Sequence, residues 1–266
     1  DPSAPTILQN PYEGVTKIQD GMLVSGKFYA AADTNGLVIF DYSTTTPTQS
    51  WSYNTNSTTV AARDMEIIGN SLYVADGGIF IFDITDPINP VFKGSNTTGC
   101  SEAWSLAVSG NYAYVGCTTS AVKIYDISTP TSPTVTATIS LSGNARGVHI
   151  DGSNLYIGAS AAGFLIYDVS TPTSPTLTGS VDTPGTAGGI DVSGTTAYVA
   201  DLDSGVTLIN IATPTSPSVI TTYDAGGTGD MKVQIEGTNL FAASQNKLFI
   251  LDVSNTGNIT TTASIT

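Results

Sequence analysis

Short apolar runs alternate with polar turns along the whole chain, and the same unit recurs at a fixed interval. Its clearest copy is Gly163 to Ser180, GFLIYDVSTPTSPTLTGS, where an apolar run ends in Asp168, a Thr/Pro/Ser turn follows, and a second β-prone run begins. The equivalent turn residues are Asp41, Asp83, Asp126, Asp168, Asn210 and Asp252, spaced by 42, 43, 42, 42 and 42 residues. An interval of this length is typical of β-propeller blades.

Each repeat predicts four short strands, as its third copy illustrates. Alternating residues 103–109 and 112–117 predict two strands joined by a tight turn at Gly110-Asn111. Residues 121–125 predict the third strand, and residues 134–139 the outer one, after the turn that begins at Asp126. Val, Ile, Tyr and Thr dominate the strands, Gly, Pro, Asn and Asp separate them, and helical periodicity is absent from the sequence.

The aspartate that opens each turn has a structural explanation. A carboxylate at this position accepts backbone N–H groups that the turn leaves unpaired, and the following proline ends the strand ladder. Asn210 occupies the position in the fifth repeat, and an asparagine caps a turn equally well without a charge. We therefore interpret these residues as caps and expect no catalytic role for them.

The apolar runs carry a family resemblance. LVIFD at Leu37, FLIYDVS at Phe164 and LFILDVS at Leu248, with "NP" or "SP" soon after several copies, resemble the LVIVD repeat. This resemblance covers essentially the whole chain and implies a β-propeller of the kind found mostly on bacterial and archaeal surfaces. It implies little about activity. The copy at Val206 departs from the pattern with Asn210, and the last copy lacks its prolines.

Six complete repeats predict an all-β propeller of six four-stranded antiparallel blades over residues 15–266, with seven blades as the alternative. The predicted blades start near Gly21, Asp64, Ala103, Gly147, Gly188 and Asp230. Ahead of them, residues 1–14 contain DPSAPTILQN, which aligns with the turn and outer strand DPINPVFKGS at Asp86. This extra outer strand either closes the ring, or forms a fifth strand or a tail, or pairs with a neighbouring subunit.

Pairing with a neighbour would make the protein a filament subunit. An unpaired outer strand templates pairing with another chain, and a head-to-tail contact of that kind propagates into a fibre. The last repeat has its own candidate outer strand over residues 258–265, so one of the two terminal strands is surplus to a closed ring. We expect either residues 1–10 or residues 258–266 to extend a blade of the next subunit.

The composition narrows the partners and the compartment. The 266 residues include 22 acidic against 8 basic ones, for a net charge of −14, and nucleic-acid binding needs a basic face. No apolar run approaches the length of a membrane helix, so we expect no membrane insertion. The Thr-, Ser-, Asn- and Gly-rich surface, with Asp1 inside a recognisable piece of repeat, favours a secreted or cell-surface protein whose signal has been removed. Its partners would be copies of itself, other surface proteins or glycans.

An extracellular location is compatible with two covalent features, a disulfide and glycosylation. Cys100 and Cys117 are the only cysteines, and the predicted hairpin about Gly110 brings both to one end, so we expect a disulfide. Two free buried thiols are the alternative. Asn56, Asn96 and Asn258 are candidate N-glycosylation acceptors, although such motifs are common by chance.

Alternation along the innermost strands predicts a partly polar central channel. Three residues before the glycine of each inner hairpin lie Leu23, Glu66, Ala107, His149, Asp191 and Gln234. A metal site built on Glu66, His149, Asp191 and Gln234 is one interpretation, and a hydrated channel is the simpler one. Asp201 and Asp203 begin a segment like a calcium loop, but it lacks the length and the closing glutamate of an EF-hand. We expect no cofactor, with calcium as the weak alternative.

An enzyme is the rival hypothesis. The single His permits at most one His-based triad, and the nearest approach to a nucleophile elbow, Gly158-Ala-Ser-Ala-Ala162, ends in Ala. A carbohydrate-active or metal-dependent enzyme using the polar channel stays as the alternative. The expected function is a non-enzymatic structural or interaction module.

Overall fold

The fold is an all-β propeller of six blades. The structure, a computed structural model, describes residues 15, 17–41, 48–54, 61–202, 204–224, 232–244 and 247–265. These residues form six four-stranded antiparallel sheets with no helix among them. Within each sheet the strands follow one another in chain order, so every blade is a meander built from one repeat.

The strand bounds are given blade by blade. Blade 1 contains β1 Asp20–Val24, β2 Lys27–Ala31, β3 Leu37–Asp41 and β4 Thr48–Tyr53. Blade 2 contains β5 Asp64–Ile68, β6 Ser71–Ala75, β7 Ile79–Asp83 and β8 Val91–Asn96. Blade 3 contains β9 Ala103–Ser109, β10 Tyr112–Cys117, β11 Ala121–Asp126 and β12 Thr134–Ser140. Blade 4 contains β13 Gly147–Asp151, β14 Asn154–Gly158, β15 Phe164–Asp168 and β16 Thr176–Val181. Blade 5 contains β17 Ala187–Ser193, β18 Thr196–Asp201, β19 Gly205–Asn210 and β20 Ser218–Tyr223. Blade 6 contains β21 Lys232–Glu236, β22 Asn239–Ala243, β23 Leu248–Asp252 and β24 Thr260–Ile265.

The predicted blades and strands are confirmed. The innermost strands begin within two residues of the predicted starts, and the four strands of blade 3 match the predicted ones to within one residue. The outer strand of the last blade belongs to that blade's own sheet, because β24 pairs with β23 in register Leu248↔Ile265 to Asp252↔Thr260. Residues 260–265 therefore form the fourth strand of their own blade. Residues 1–10 lie outside the described residues.

Apolar layers between blades form the core. The chain divides into two compact units, one with blades 1–3 and the other with blades 4–6. In the first, Tyr29 and Leu37 of blade 1 pack with Met65 and Leu72 of blade 2. In the second, Tyr156 of blade 4 belongs to one layer with blade 5, and blades 5 and 6 share another. Each sheet therefore buries a face against its neighbour along the chain within its unit.

The turn after the third strand is capped as predicted in blades 2 to 6. The backbone N–H of the residue two positions on donates to the Asp or Asn side chain, at 2.8 to 2.9 Å. These caps are Asp83, Asp126, Asp168, Asn210 and Asp252. Hydrogen bonds from the hydroxyl and then the backbone N–H of Ser128 lower the pKa of Asp126. The same two donors of Ser254 lower the pKa of Asp252, so these carboxylates are stabilised in their charged form.

The capped turns also form contacts between blades. A Cβ added to Gly94, on the outer strand of blade 2, would lie 2.6 Å from the carbonyl oxygen of Pro130 in the turn of blade 3. A Cβ added to Gly179, on the outer strand of blade 4, would lie 2.3 Å from the carbonyl oxygen of Pro214 in the turn of blade 5. Glycine at this position lets the next blade's turn approach the outer strand closely.

This close approach predicts the effect of a single methyl group. Gly94→Ala should lower the free energy of unfolding by about 1–3 kcal/mol, because the new Cβ meets backbone atoms of Pro130 and Thr131 that have little room to shift. Urea denaturation of the purified variant measures the change. Ser95→Ala, at the exposed neighbouring position, is the matched control and should stay within about 0.5 kcal/mol of the wild type. An unchanged midpoint for Gly94→Ala would contradict the proposed packing.

Candidate functional site

The first group of predicted channel residues lies on β5 of blade 2. The carboxylate of Glu66 accepts a hydrogen bond from the backbone N–H of Val108 on β9 of blade 3, with Oε2 and N 2.7 Å apart. Two residues earlier, Asp64 Oδ2 accepts the N–H of Leu106 at 2.8 Å. Both acids therefore connect the innermost strands of two adjacent blades.

The environment of Glu66 favours its protonated form. Burial raises the pKa of this carboxyl to about 7, the hydrogen bond from Val108 opposes the shift, and the nearby charge of Asp64 adds to it. A glutamic acid with such a pKa is suited to general acid–base chemistry near neutral pH. Structural networks perturb pKa values as well, and the bond to Val108 shows that Glu66 belongs to one.

The second group lies in the other compact unit and includes the only histidine. The backbone N–H of Ile235 on β21 donates to Asp191 Oδ2 at 2.8 Å, and Oδ1 of the same carboxylate lies 3.4 Å from Nδ1 of His149. Burial lowers the pKa of His149, while Asp191 and then Asp151 oppose the shift. Asp191 thus links the inner strands of blades 4, 5 and 6.

Two blade pairs use the same inter-blade bond. In each pair, the acid lies three residues before the glycine of its inner hairpin. Its carboxylate accepts a hydrogen bond from a backbone N–H of the next blade, two residues before the equivalent glycine there. One pair is Glu66 with Val108, and the other is Asp191 with Ile235. Asp20, which the sequence analysis does not predict, makes a similar contact: its Oδ2 accepts the N–H of Met65 at 3.1 Å, as Asp64 accepts the N–H of Leu106. In the sequence, only the acid three residues before the hairpin glycine in two of the six repeats, Glu66 and Asp191, signals this role.

The other predicted channel position is not part of these networks. Gln234 lies on β21 with an exposed side chain. In the part of the chain that the structure describes, no three His, Cys, Asp or Glu side chains are grouped closely enough to hold a metal ion. Glu66 lies in one compact unit, and His149, Asp191 and Gln234 lie in the other.

Asp201, the described half of the calcium candidate, is fully buried at the end of β18. Its Oδ2 accepts hydrogen bonds from the N–H of Gly185 at 3.0 Å and from the hydroxyl of Thr207 at 3.1 Å. The side chain thus connects the segment before β17 to β19 of the same blade. Asp203 lies outside the described residues.

Cys100 and Cys117 form a disulfide in the structure. Their Cα atoms are 5.5 Å apart, and both residues are buried in the layer between blades 2 and 3. Cys117 ends β10 opposite Ala103, which begins β9. The bond therefore fastens the segment that leads into blade 3 to the second strand of that blade.

The glycosylation candidates have different surroundings. The side-chain amide of Asn96 is engaged, because Nδ2 donates to the carbonyl of Pro133 at 2.8 Å and Oδ1 accepts the N–H of Thr98 at 2.9 Å. A glycan on Asn96 would compete with the contact to blade 3. Asn258 is exposed in the turn before β24, and Asn56 lies outside the described residues.

An aromatic and charged cluster flanks the beginnings of β5 and β9. The guanidinium of Arg63 lies over the ring of Trp104, 5.0 Å from its centroid, and pairs with the carboxylate of Glu102. This cation–π contact joins blades 2 and 3. Glu102 adds the segment that precedes β9 to this contact.

Ser160, in the partial nucleophile-elbow motif, has the left-handed backbone that such an elbow requires, with φ of 51°. Asp33 and Ser120 have φ of 51° and 55° between the second and third strands of their own blades. The conformation therefore belongs to the repeat. The Ser160 hydroxyl donates to the carbonyl of Asn144 at 3.0 Å and lies 3.2 Å from Nε of Arg146, so it holds a loop in place.

The LVIVD repeat sequence model matches this chain six times, at residues 20–55, 61–98, 101–139, 142–183, 184–225 and 227–266. The matches follow the six blades one for one. The chain belongs to the LVIVD-repeat family. No curated protein matches it.

Three solved structures share the LVIVD propeller's fold. A functionally unknown protein from Desulfotomaculum acetoxidans DSM 771 is 17% identical, with a TM-score of 0.74 over 91% of this chain and 84% of that one. A chain of the Mitotic Checkpoint Complex is 14% identical, with a TM-score of 0.69 over 98% and 88%. The computationally designed Ika8 protein is 12% identical, with a TM-score of 0.66 over 86% and 68%. At these identities the likeness concerns the fold alone.

In the described part of the LVIVD chain, no helix is long and apolar enough to cross a membrane.

The pKa of Glu66 predicts how LVIVD propeller stability depends on pH. The folded protein holds this proton more tightly than an unfolded chain, whose glutamate titrates near 4.5. The Glu66 contribution is therefore present below pH 4.5 and is lost as pH rises through about 7. Glu66→Gln should flatten the decline of stability over this window and make the variant relatively more stable at the upper end.

Urea midpoints measured at several pH values test this expectation. Glu236→Gln, which changes an exposed glutamate of β21, is the matched control and should follow the wild-type profile. A Glu66→Gln profile parallel to that of the wild type would contradict the prediction, because the pKa of Glu66 would then be the same in the folded and the unfolded chain.

Removing the disulfide should also destabilise the LVIVD fold. The bond closes a loop with a sequence separation of 17. Cys100→Ser with Cys117→Ser should lower the free energy of unfolding by about 2–4 kcal/mol, because the unfolded chain regains loop entropy. Denaturation with and without reductant measures the effect: reductant should shift the wild type and leave the double variant unchanged. An equal response of both proteins to reductant would contradict the prediction.

Proposed function

We propose that this LVIVD propeller is a non-enzymatic extracellular or cell-surface module that acts through protein–protein contacts at its outer strands. It assembles head to tail by donating an N-terminal strand to a neighbouring copy. The observation that carries the proposal is the arrangement of the sheets: among the described residues, the outer strand of every blade is the end of its sheet and is paired on one side only.

The chemistry of these edges supports association. Exposed apolar side chains lie on three outer strands: Val91 and Phe92 on β8, Leu177 on β16, and Val219 and Ile220 on β20. The remaining outer strands are rich in Thr and Ser and contain no charged residue. Edge strands protected against pairing usually carry lysine, proline or inward charges. Lys93 makes β8 the exception, and the uncharged outer strands of the other blades favour addition of a strand.

The donor segment follows from the blade inventory. Each described blade has an outer strand from its own repeat, including β24 of the last one. The outer-strand sequence of residues 1–10 therefore has no place as the fourth strand of any of them. Pairing across an exposed edge of another copy gives it main-chain hydrogen bonds and extends the assembly in one direction.

The disulfide supports an extracellular location. Disulfides persist in oxidising compartments and are rare where thiols are kept reduced. The link between Cys100 and Cys117 lies in the apolar layer between blades 2 and 3, where it stabilises the fold. A durable surface fibre benefits from such a constraint.

The engagement of the inner acids supports a non-enzymatic role. Catalytic acids and metal ligands must present their oxygens to a substrate or an ion. The carboxylates of Glu66, Asp64 and Asp191 instead accept backbone N–H groups of the next blade. Using them for chemistry would cost the protein contacts between its blades.

Deletion of residues 1–10 tests the assembly mode. Electron microscopy of native material identifies the assembly, and size-exclusion chromatography with light scattering follows it in the purified chain. We expect the full chain to form head-to-tail oligomers, and the shortened chain to stay monomeric with an unchanged urea midpoint. A synthetic peptide of residues 1–10, added in excess, should cap the full-length oligomers. Deletion of residues 1–4, which leaves most of the strand sequence, is the matched control and should still assemble.

Two outcomes would overturn the proposal. Identical assemblies from the shortened and the full chain would exclude strand donation by residues 1–10. Stoichiometric metal in the purified protein that is lost in His149→Ala, together with glycan hydrolysis that is lost in the same variant, would favour the rival enzyme.

A further inference from the structure

Three consecutive blades present the same exposed turn. The sequence Thr-Pro-Thr-Ser-Pro occurs at residues 129–133, 171–175 and 213–217, directly after the capped end of the third strand. The outer strands that follow differ among the three blades, as TVTATIS, TLTGSV and SVITTY. The turn is therefore repeated more faithfully than the exposed sequence beside it.

The geometry of the turn is fixed and the same in each copy. The N–H of the serine donates to the carbonyl of the first threonine at 2.9 Å in blade 3, from Ser132 to Thr129, and at 2.8 Å in blades 4 and 5. Proline at the second position suits this β-turn. Pro133 and Pro217, the closing prolines of blades 3 and 5, are buried and anchor the turn to the sheet.

The third and fourth positions of the turn present free surface hydroxyls. The residues concerned are all exposed: Thr131, Ser132, Thr173, Ser174, Thr215 and Ser216. By contrast, the hydroxyls of Ser128 and Ser170, earlier in two of the turns, bond to Asp126 and Asp168. Among the hydrogen bonds between described residues, none involves a hydroxyl of the six exposed positions. These hydroxyls are available to an external reagent.

The fold itself does not require hydroxyls at these positions. Blade 2 closes the same turn with Asp86-Pro87-Ile88-Asn89, and the N–H of Asn89 donates to the carbonyl of Asp86 at 3.2 Å. Blade 6 closes it with Asn255-Thr256-Gly257-Asn258 at 2.9 Å. Ile-Asn and Gly-Asn therefore replace Thr-Ser without loss of the turn, and stability does not explain the threefold recurrence of the pair.

We propose that these exposed Thr-Ser pairs are O-glycosylation sites, one per turn in blades 3, 4 and 5. In the modification, the Thr or Ser hydroxyl oxygen attacks the anomeric carbon of a sugar activated as a glycosyl phosphate ester. The new C–O glycosidic bond forms as the bond from that carbon to the phosphate oxygen breaks, and the hydroxyl proton passes to a base of the transferase. The flanking prolines keep the acceptor segment out of any sheet, and its exposed Thr and Ser side chains stay accessible to a transferase although the turn backbone packs on the preceding blade.

This inference is independent of strand donation, because the turns lie apart in sequence from residues 1–10. Bulky polar groups on these turns would solubilise the blade surface beside the outer strands.

Site mapping on the protein purified from its native source tests the inference. Peptides that contain the three turns should carry sugar mass increments that are lost on alkaline β-elimination, and electron-transfer fragmentation should place them on the third or fourth position of each turn. Thr134, Thr176 and Ser218 are the matched controls, because they are exposed and directly follow the same turns. Unmodified turns, phosphate in place of sugar, or equal modification of the three control residues would overturn the inference.

A variant expressed in the native host gives the second test. Thr131→Ile with Ser132→Asn copies the turn of blade 2, so we expect the fold and the urea midpoint to be unchanged. The increment on the blade 3 turn should disappear, and those of blades 4 and 5 should stay. Persistence of the blade 3 increment would overturn the assignment of these two residues.

Discussion

The innermost strand of each blade has one edge that its own sheet does not pair, and the structure depends on how the N–H groups of that edge are satisfied. An unpaired backbone donor that is removed from water costs as much as a lost hydrogen bond. In three pairs of adjacent blades a carboxylate from the preceding inner strand accepts such a donor, from Asp20, from Asp64 with Glu66, and from Asp191. The acids therefore act as hydrogen-bond acceptors between sheets that share no backbone ladder at this edge.

The same direction of contact recurs farther out. The hydroxyl of Tyr29 in blade 1 donates to the carbonyl of Pro87 in the turn of blade 2 at 2.7 Å. On the outer strands, Gly94 and Gly179 receive the turns of blades 3 and 5. Contacts with the next blade along the chain thus include an acid of the innermost strand in blades 1, 2 and 5, a tyrosine of the second strand in blade 1, and a glycine of the outer strand in blades 2 and 4. The apolar layers lie between these polar and steric contacts. They supply most of the favourable free energy of folding, but apolar burial does not fix how one blade is oriented against the next.

Much of the fold was predictable because its cause is local and repeated. The apolar run before Asp168 and the proline turn after it specify a strand end wherever they occur, and six copies leave little freedom in the count of blades. The disulfide was predictable from two cysteines and one hairpin. The role of Glu66 was not, because a carboxylate near an inner strand looks the same in sequence whether it faces a channel or a backbone amide. Deciding between these needs the distance to Val108, which joins residues 42 apart.

The inner contacts also bear on where the chain can carry function. Positions three before the hairpin glycine tolerate a side chain as different as Leu23, which is 73% exposed, so the repeat does not reserve them for one chemistry. Where an acid is present it stabilises the junction between blades, and a site evolved there would have to replace that contact. In the outer strands and the turns, contacts between blades constrain only a buried proline or a closely packed glycine. A repeat fold of this kind therefore places its free positions on the outside, where the proposed strand addition and glycosylation would take place.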